Sequence, residues 1–383
     1  MRPIPIGATL AITVALIAGC SAEEAAVDEP APTPHGYVEG AEETSEAQHR
    51  IAILDEQRSH LDLLDPATEE TIPLGEVPQG IPVGTDGRYV YLSDGEHVTV
   101  VDTGVWTVDH GDHVHYYRAE PRNLGTVEVS GVATVTGSAS VTVLSGMDGA
   151  VVLDRSALDD GEVTVLATVA SPLVAAHGRV LLAADPAGVL SVLDHDGTPI
   201  EETDAVCPGA RDAVTTAQTV VVRCDDAVVI VRDGAQAITS VDYPAGVGEI
   251  LDRPRHRAHT PVFVTDSGRV LALDPADETW TILPTDDAVT AVGAGDGGFV
   301  LVLTADGLLR SFDTENRTET ATAEQSIPMS DDEHPSIEVI EGRAYLADSA
   351  SNTLLEFDYR DDLRLSRTIG LSSRPDAIVG TGW

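Results

Sequence analysis

Six consecutive positions, His110-Gly111-Asp112-His113-Val114-His115, hold three of the chain's twelve histidines together with an aspartate. Neutral imidazole and carboxylate suit zinc, copper, nickel or iron, whereas calcium and magnesium prefer oxygen ligands alone. His110, Asp112, His113 and His115 are therefore the candidate metal ligands. In a straight strand His113 and His115 would face one way and His110 and Asp112 the other. Gly111 can turn the chain and bring both sets to one side. The competing reading is a solvated loop whose histidines share no task. Other histidines make weaker candidates. His334, in "DDEHPSI", precedes an apolar run and could add a ligand, and His256 and His259 approach the same region. His35 stands near Glu39, Glu42 and Glu43 in an acidic arm that could hold an ion loosely. His177 falls in the turn "AAHGR", and His60, His97 and His195 read as surface residues.

Signatures of other chemistry are missing from the sequence. It contains no G-x-S-x-G elbow, phosphate-binding loop or dinucleotide fingerprint, and its carboxylates are too numerous to single out a catalytic pair. A zinc ion with an open position could activate water, but no general base is recognisable beside the motif. The expectation is a protein that binds rather than one that catalyses. A formal net charge of -42, with arginine as the basic residue throughout and no lysine, argues against nucleic acid or an anionic surface as partner. The same charge concentrates divalent cations near the surface.

The elements that must position the motif form a repeat. Units such as "GIPVGTDGRYVYLSDGEHVTVVDT", "PLVAAHGRVLLAADPAGVLSVLDHDG" and "PSIEVIEGRAYLADSASNTLLEFDY" recur about every 35 to 45 residues. Each holds three short β-branched strands broken by Gly- and Asp-containing turns, and a less regular fourth strand follows. Turns at this spacing without a helical period predict an all-β chain, and four-stranded units predict the blades of a β-propeller. The first unit, from "RIAILDEQRSHLDLLD", lacks an inner strand, and the last segment, "RPDAIVGTGW", is an inner strand without a blade. The terminal strand is expected to complete the first blade and close the ring. That gives eight blades, or seven if residues 128 to 168 merge with their neighbours.

The remaining segments set the compartment. "MRPIPIGATLAITVALIAGC" combines an early Arg, an apolar run from Ile6 to Ala18 and a small-residue end, the pattern of a secretory leader over residues 1–19. Its apolar-small-Gly-Cys ending resembles a bacterial lipobox, which would make Cys20 a lipid-bearing residue; a plain leader is the alternative. Residues 20–48 are rich in Glu, Ala, Pro and Thr and read as a flexible acidic tether, with 49–383 as the propeller. The chain is expected outside the cytoplasm, attached to the cell membrane through lipid alone. With Cys20 assigned, Cys207 and Cys224 remain as an even pair in an oxidising compartment, and a disulfide is expected.

The stretch "VVDTGVWTVDHGDHVHYYRAEPRNLG" resembles the signature of the AztD-type zinc metallochaperones, and "HGYVEGAEE", "CPG" with "VVVRC", and "RPDAIVGTGW" look similar to parts of the same family. The resemblance covers most of the mature chain, and HGDHVHYY is its specific part. It implies an exported β-propeller that binds Zn2+ and delivers it to the solute-binding protein of an ABC transporter, with the N-terminal arm taking part. By that likeness His110, Asp112, His113 and His115 match the histidine-aspartate motif and His35 lies in the arm. The chain departs from the family pattern at "SPLVAA" and "CPGARDAV", where the family carries inner-strand histidines. A monomer is expected. The alternative function is a propeller that binds a protein or glycan and has no metal role.

Overall fold

The computed structural model describes residues 38–383 apart from 58, 78–80, 111, 133, 217, 252–259, 296–297 and 330–334. Cys20, His35, His256, His259 and His334 lie outside the described residues, and with them the expected leader and lipid site. Among the described residues the regular structure is strand, save one helix, Arg155–Asp160, and one short turn of 3-10 helix, Asp233–Ala235.

Among the described residues, eight of the nine antiparallel sheets succeed one another along the chain; the ninth projects from the second. The first is built from both ends: Ala377–Thr381 pairs with Arg50–Asp55, followed by His60–Leu64 and Thr71–Glu76. The second holds Ile81–Thr85, Tyr89–Ser93, His97–Asp102 and Arg122–Glu128. The inner strands of the next six are Thr134–Gly137, Leu173–His177, Asp212–Thr215, Val262–Val264, Ala288–Ala294 and Ile337–Ile340. This is the β-propeller expected from the repeats.

The packing explains why the strands carry near-continuous apolar runs. Thr219–Arg223, "TVVVR", is buried throughout because each of its faces meets a different neighbour. Val220 and Val222 join a cluster with Leu173, Leu182 and Leu190 of the preceding sheet, while Val221 joins Phe263 and Leu271 of the following one. Period-two alternation thus feeds two cores rather than a core and solvent. The pattern repeats around the ring until Ile51, Ile53 and Leu64 of the first sheet pack with Ile340, Tyr345 and Leu354 of the eighth. Each such side chain, fully buried, contributes roughly 1.5–3 kcal/mol. Gly382, at φ 101°, permits closure, since a Cβ there would lie 1.9 Å from the Gln48 carbonyl oxygen.

Two further features brace the ring. Cys207, in the connection between the fourth and fifth sheets, is bonded to Cys224 after the second strand of the fifth. Between the second and third sheets lies a buried polar cluster centred on Asp86. Its carboxylate pairs with Arg155, accepts from Thr142 Oγ1 at 2.5 Å and Tyr91 Oη at 2.8 Å, and takes the Tyr89 N–H at 3.1 Å. The helix positions Arg155; Asp154 caps it by accepting from the Ser156 N–H. Burial alone would raise the Asp86 pKa, but Arg155 and the hydrogen bonds outweigh it and hold the group below the usual carboxylate range.

One boundary differs from expectation. Residues 20–48 read as tether, yet Glu42–Thr44 is a strand paired in register with Tyr116–Arg118. Composition concealed this because the strand is held by backbone pairing to a distant edge and by ion pairs, with no apolar burial to mark it.

Two outcomes are expected. Asp86→Asn would leave the Arg155 guanidinium without its counter-charge and cost about 3–5 kcal/mol in urea unfolding. Because the folded Asp86 pKa lies below the unfolded one, this advantage of the wild type exists above the ordinary carboxylate range and shrinks as pH falls through it. An unfolding midpoint unmoved by the substitution at pH 7 would refute the assignment. Reducing the Cys207–Cys224 bond, which closes a separation of 17 residues, should lower stability by about 3 kcal/mol, read as a fall in Tm with added reductant.

Candidate metal centre

The third strand of the second sheet, His97–Asp102, does not turn directly into the fourth, Arg122–Glu128. Between them the chain projects a hairpin, Val105–Asp109 against Val114–Arg118. Alternating β-branched and aromatic residues in "VWTV" and "VHYY" favour paired strands, and Gly-Asp is a common two-residue hairpin connection. Val108 pairs with His115 and Asp109 with Val114, and the His110 N–H donates to the His113 carbonyl at 3.0 Å, closing the pairing at the tip. Cross-strand partners share a face, as do residues two apart on one strand. His110, opposite His113, therefore falls on the same face as His113 and His115.

Geometry follows from register. The three rings lie 4.8 Å, 5.4 Å and 4.9 Å apart between centroids, and one nitrogen from each comes within 4.8 Å of the others. A tetrahedral zinc with Zn–N near 2.0 Å wants about 3.3 Å between donors, so the three nitrogens would have to draw closer to share one ion. His110 and His113 are exposed and His115 is half-buried. An ion held by these three imidazoles would keep room for a further, exchangeable ligand.

Two carboxylates orient two of the rings. Asp112 Oδ1 lies 2.7 Å from His113 Nδ1, and Glu43 Oε1 lies 2.7 Å from His115 Nδ1. An ionised carboxylate only accepts, so each Nδ1 carries the proton and each Nε2 is the nitrogen left for a metal. Asp112, expected as a ligand from its place in the motif, lies here on His113 Nδ1, the place of a residue that orients the ring. Glu43 arrives on the strand Glu42–Thr44, the edge of a three-stranded sheet with the hairpin. It pairs with Tyr117 and reaches diagonally to His115, while Glu42 pairs with Arg118 at 2.8 Å. Burial and then the Glu43 charge raise the Tyr117 pKa. Glu43 stood out in the sequence only as one acidic residue of the arm; nothing local ties it to a histidine 72 positions away.

The hairpin is fastened to the ring beneath it. Tyr117, buried, stacks on Trp106 at 5.3 Å, and Trp106 lies over the Arg88 guanidinium at 3.8 Å. Arg88 is buried and bonded to Asp102 through Nε at 2.9 Å and Nη2 at 2.7 Å, and to Asp159 through Nη1 at 2.9 Å. Arg50 Nη1 donates to the Thr103 and Ala119 carbonyls at the hairpin's base. Gly104, at φ 71°, is required there because a Cβ would lie 2.3 Å from the Ala119 oxygen. Thr107 Oγ1 donates to the Gly382 carbonyl at 2.8 Å, tying the hairpin to the end of the closing strand.

Among the other histidines, His60 pairs with Asp62 at 3.0 Å, His97 with Asp94 at 3.6 Å and His49 with Glu341 at 3.3 Å, each apart from the hairpin triad. His177 and His195 likewise stand outside the one histidine cluster found among the described residues.

No protein-family model matches the chain, and no curated protein matches it in sequence. Solved structures do. The crystal structure of Citrobacter koseri AztD superposes with a TM-score of 0.72 at 17% identity, covering 88% of this chain and 98% of that one. Apo AztD from the same organism gives 0.71 at 17% identity over the same shares, 88% and 98%. The dihydro-heme d1 dehydrogenase NirN is similar over 87% of this chain and 75% of its own, with a TM-score of 0.56 and 16% identity. What this likeness shows is the fold: the chain is a β-propeller of the AztD type.

Proposed function

We propose that this protein is an extracytoplasmic zinc carrier, not an enzyme, which takes up Zn2+ at the hairpin tip and passes it to the zinc-binding solute-binding protein of an ABC transporter. The observation that carries this reading is the convergence of His110, His113 and His115 on one face of an exposed hairpin. Imidazole sets of this kind suit zinc, and neutral rings with carboxylates on Nδ1 are the usual supported form of such ligands. The similarity to AztD supports the same function, which the resemblance of the HGDHVHYY motif implies.

Exposure favours delivery over catalysis. A carrier must surrender its cargo, and an open fourth position at a solvent-facing tip lets an incoming ligand bind before the first ones leave. Both carboxylates beside the rings are occupied in orienting them, which leaves neither placed to serve a metal-bound water as base. The acidic surface raises the local zinc concentration without itself choosing the ion. No helix among the described residues is long and apolar enough to cross a membrane; attachment is assigned to lipid on Cys20.

Chelator-stripped protein should bind about one equivalent of zinc with a Kd below about 1 μM and, at 100 times that Kd, gain about 2.7 kcal/mol of stability, visible as a rise in Tm. Replacing His113 and His115 together by Ala should abolish the binding and the rise while leaving the metal-free Tm near that of the wild type. Undiminished zinc uptake by the double variant would place the site elsewhere. A wild type that takes up no zinc would return the protein to the class of interaction propellers.

A further inference from the structure

The strand Glu42–Thr44 belongs to the sheet that carries the metal centre but comes from the far end of the chain. It is three residues long, pairs with the hairpin along one edge, and buries none of its side chains. Backbone pairing of three residues is weak by itself. The side chains add two ion pairs of different kinds. Glu42 with Arg118 is an ordinary exposed pair, at 63% and 52% exposure, and is worth at most about 1 kcal/mol. Glu43 with His115 joins the strand to a metal ligand, on a histidine that is only 23% exposed.

The geometry points to Glu43 as the positioning residue of the zinc site, and so to reciprocal coupling between metal occupancy and docking of this strand. The inference rests on the zinc reading above. Two properties of the contact produce the coupling. A carboxylate on Nδ1 fixes the tautomer and ring plane of His115 and makes its Nε2 a stronger donor, and such support is worth 10- to 100-fold in metal affinity. Conversely, zinc on Nε2 draws charge from the ring, makes the Nδ1–H a stronger donor, and tightens its bond to Glu43. By linkage, whatever factor the docked strand adds to zinc affinity, bound zinc adds to docking of the strand.

Asp112 cannot supply this coupling, because it lies on the hairpin itself next to His113 and is present whatever the arm does. Glu43 can leave with its strand. The register assigns the role to Glu43 and not to its neighbours: paired with Tyr117, it lies on the histidine face diagonal to His115, whereas Glu42 and Thr44 pair with Arg118 and Tyr116 on the opposite face. A strand or peptide that displaced Glu42–Thr44 from the hairpin edge would thereby weaken zinc binding without touching a ligand.

The test compares zinc affinity, by competition with a chromophoric chelator, with amide hydrogen exchange across residues 42–44. Glu43→Ala should weaken zinc 10- to 100-fold, and Glu43→Gln, whose oxygen still accepts from Nδ1, should lie between it and the wild type. Glu42→Ala, which removes a contact of the same strand away from His115, should stay within about threefold of the wild type. Saturating zinc should slow exchange at residues 42–44 in the wild type and leave it unchanged in the His113/His115 double-alanine variant. Equal losses in Glu42→Ala and Glu43→Ala would mean that strand docking and not the carboxylate matters, and would overturn the assignment. So would a Glu43→Ala variant that binds zinc like the wild type, or exchange indifferent to zinc. Those results would leave the zinc site standing; a wild type that binds no zinc would overturn both.

Discussion

Strand register gathers three imidazoles on one face of this hairpin. Opposing His110 to His113 puts both on the face that His115 already occupies. A slip of one residue would carry one strand's side chains to the other face and separate the ligands. A free two-stranded hairpin is marginally stable, so the pairing has to be held from below. Trp106 and Tyr117 sit opposite one another two residues from the Val108–His115 pair, and their stack is buried against the ring. The aromatic pair is the peg that sets where the histidines meet.

That peg rests on charge as much as on apolar contact. Arg88 lies under Trp106 with two carboxylates on its guanidinium, and Arg155 and Asp86 form a second buried pair in the same wall. Removing these ions from water is costly, and each is offset by a partner and by hydrogen bonds that satisfy its remaining atoms. In a chain of net charge -42, these interior pairs are close to neutral, so they brace the wall and leave the acidic balance of the surface as it is.

Much of this architecture was legible in the sequence. Repeated turns and β-branched runs announced the propeller, "RPDAIVGTGW" announced the closing strand, and the parity of Cys207 and Cys224 announced their bond, because each signal is local or depends on counting. The HGDHVH motif was legible as a set of potential metal ligands for the same reason. Its stereochemistry was not drawn out, although Gly-Asp between two alternating runs is itself a hairpin signal, and the contact of Asp112 with His113 depends on rotamers that spacing does not carry. Glu43 was out of reach. Its role depends on a three-residue strand crossing to an edge more than seventy positions away, and neither composition nor periodicity carries that information.

The closing strand has a consequence for cutting the protein into pieces. Residues 377–381 form the inner strand of the first sheet by pairing with residues 50–54, and the adjoining Gly382 carbonyl accepts from Thr107 of the hairpin. A fragment confined to the second sheet could pair the hairpin with itself but would lack that tie to the closing strand. The hairpin and the closure of the ring are therefore one structural problem, and the three imidazoles are not a portable motif.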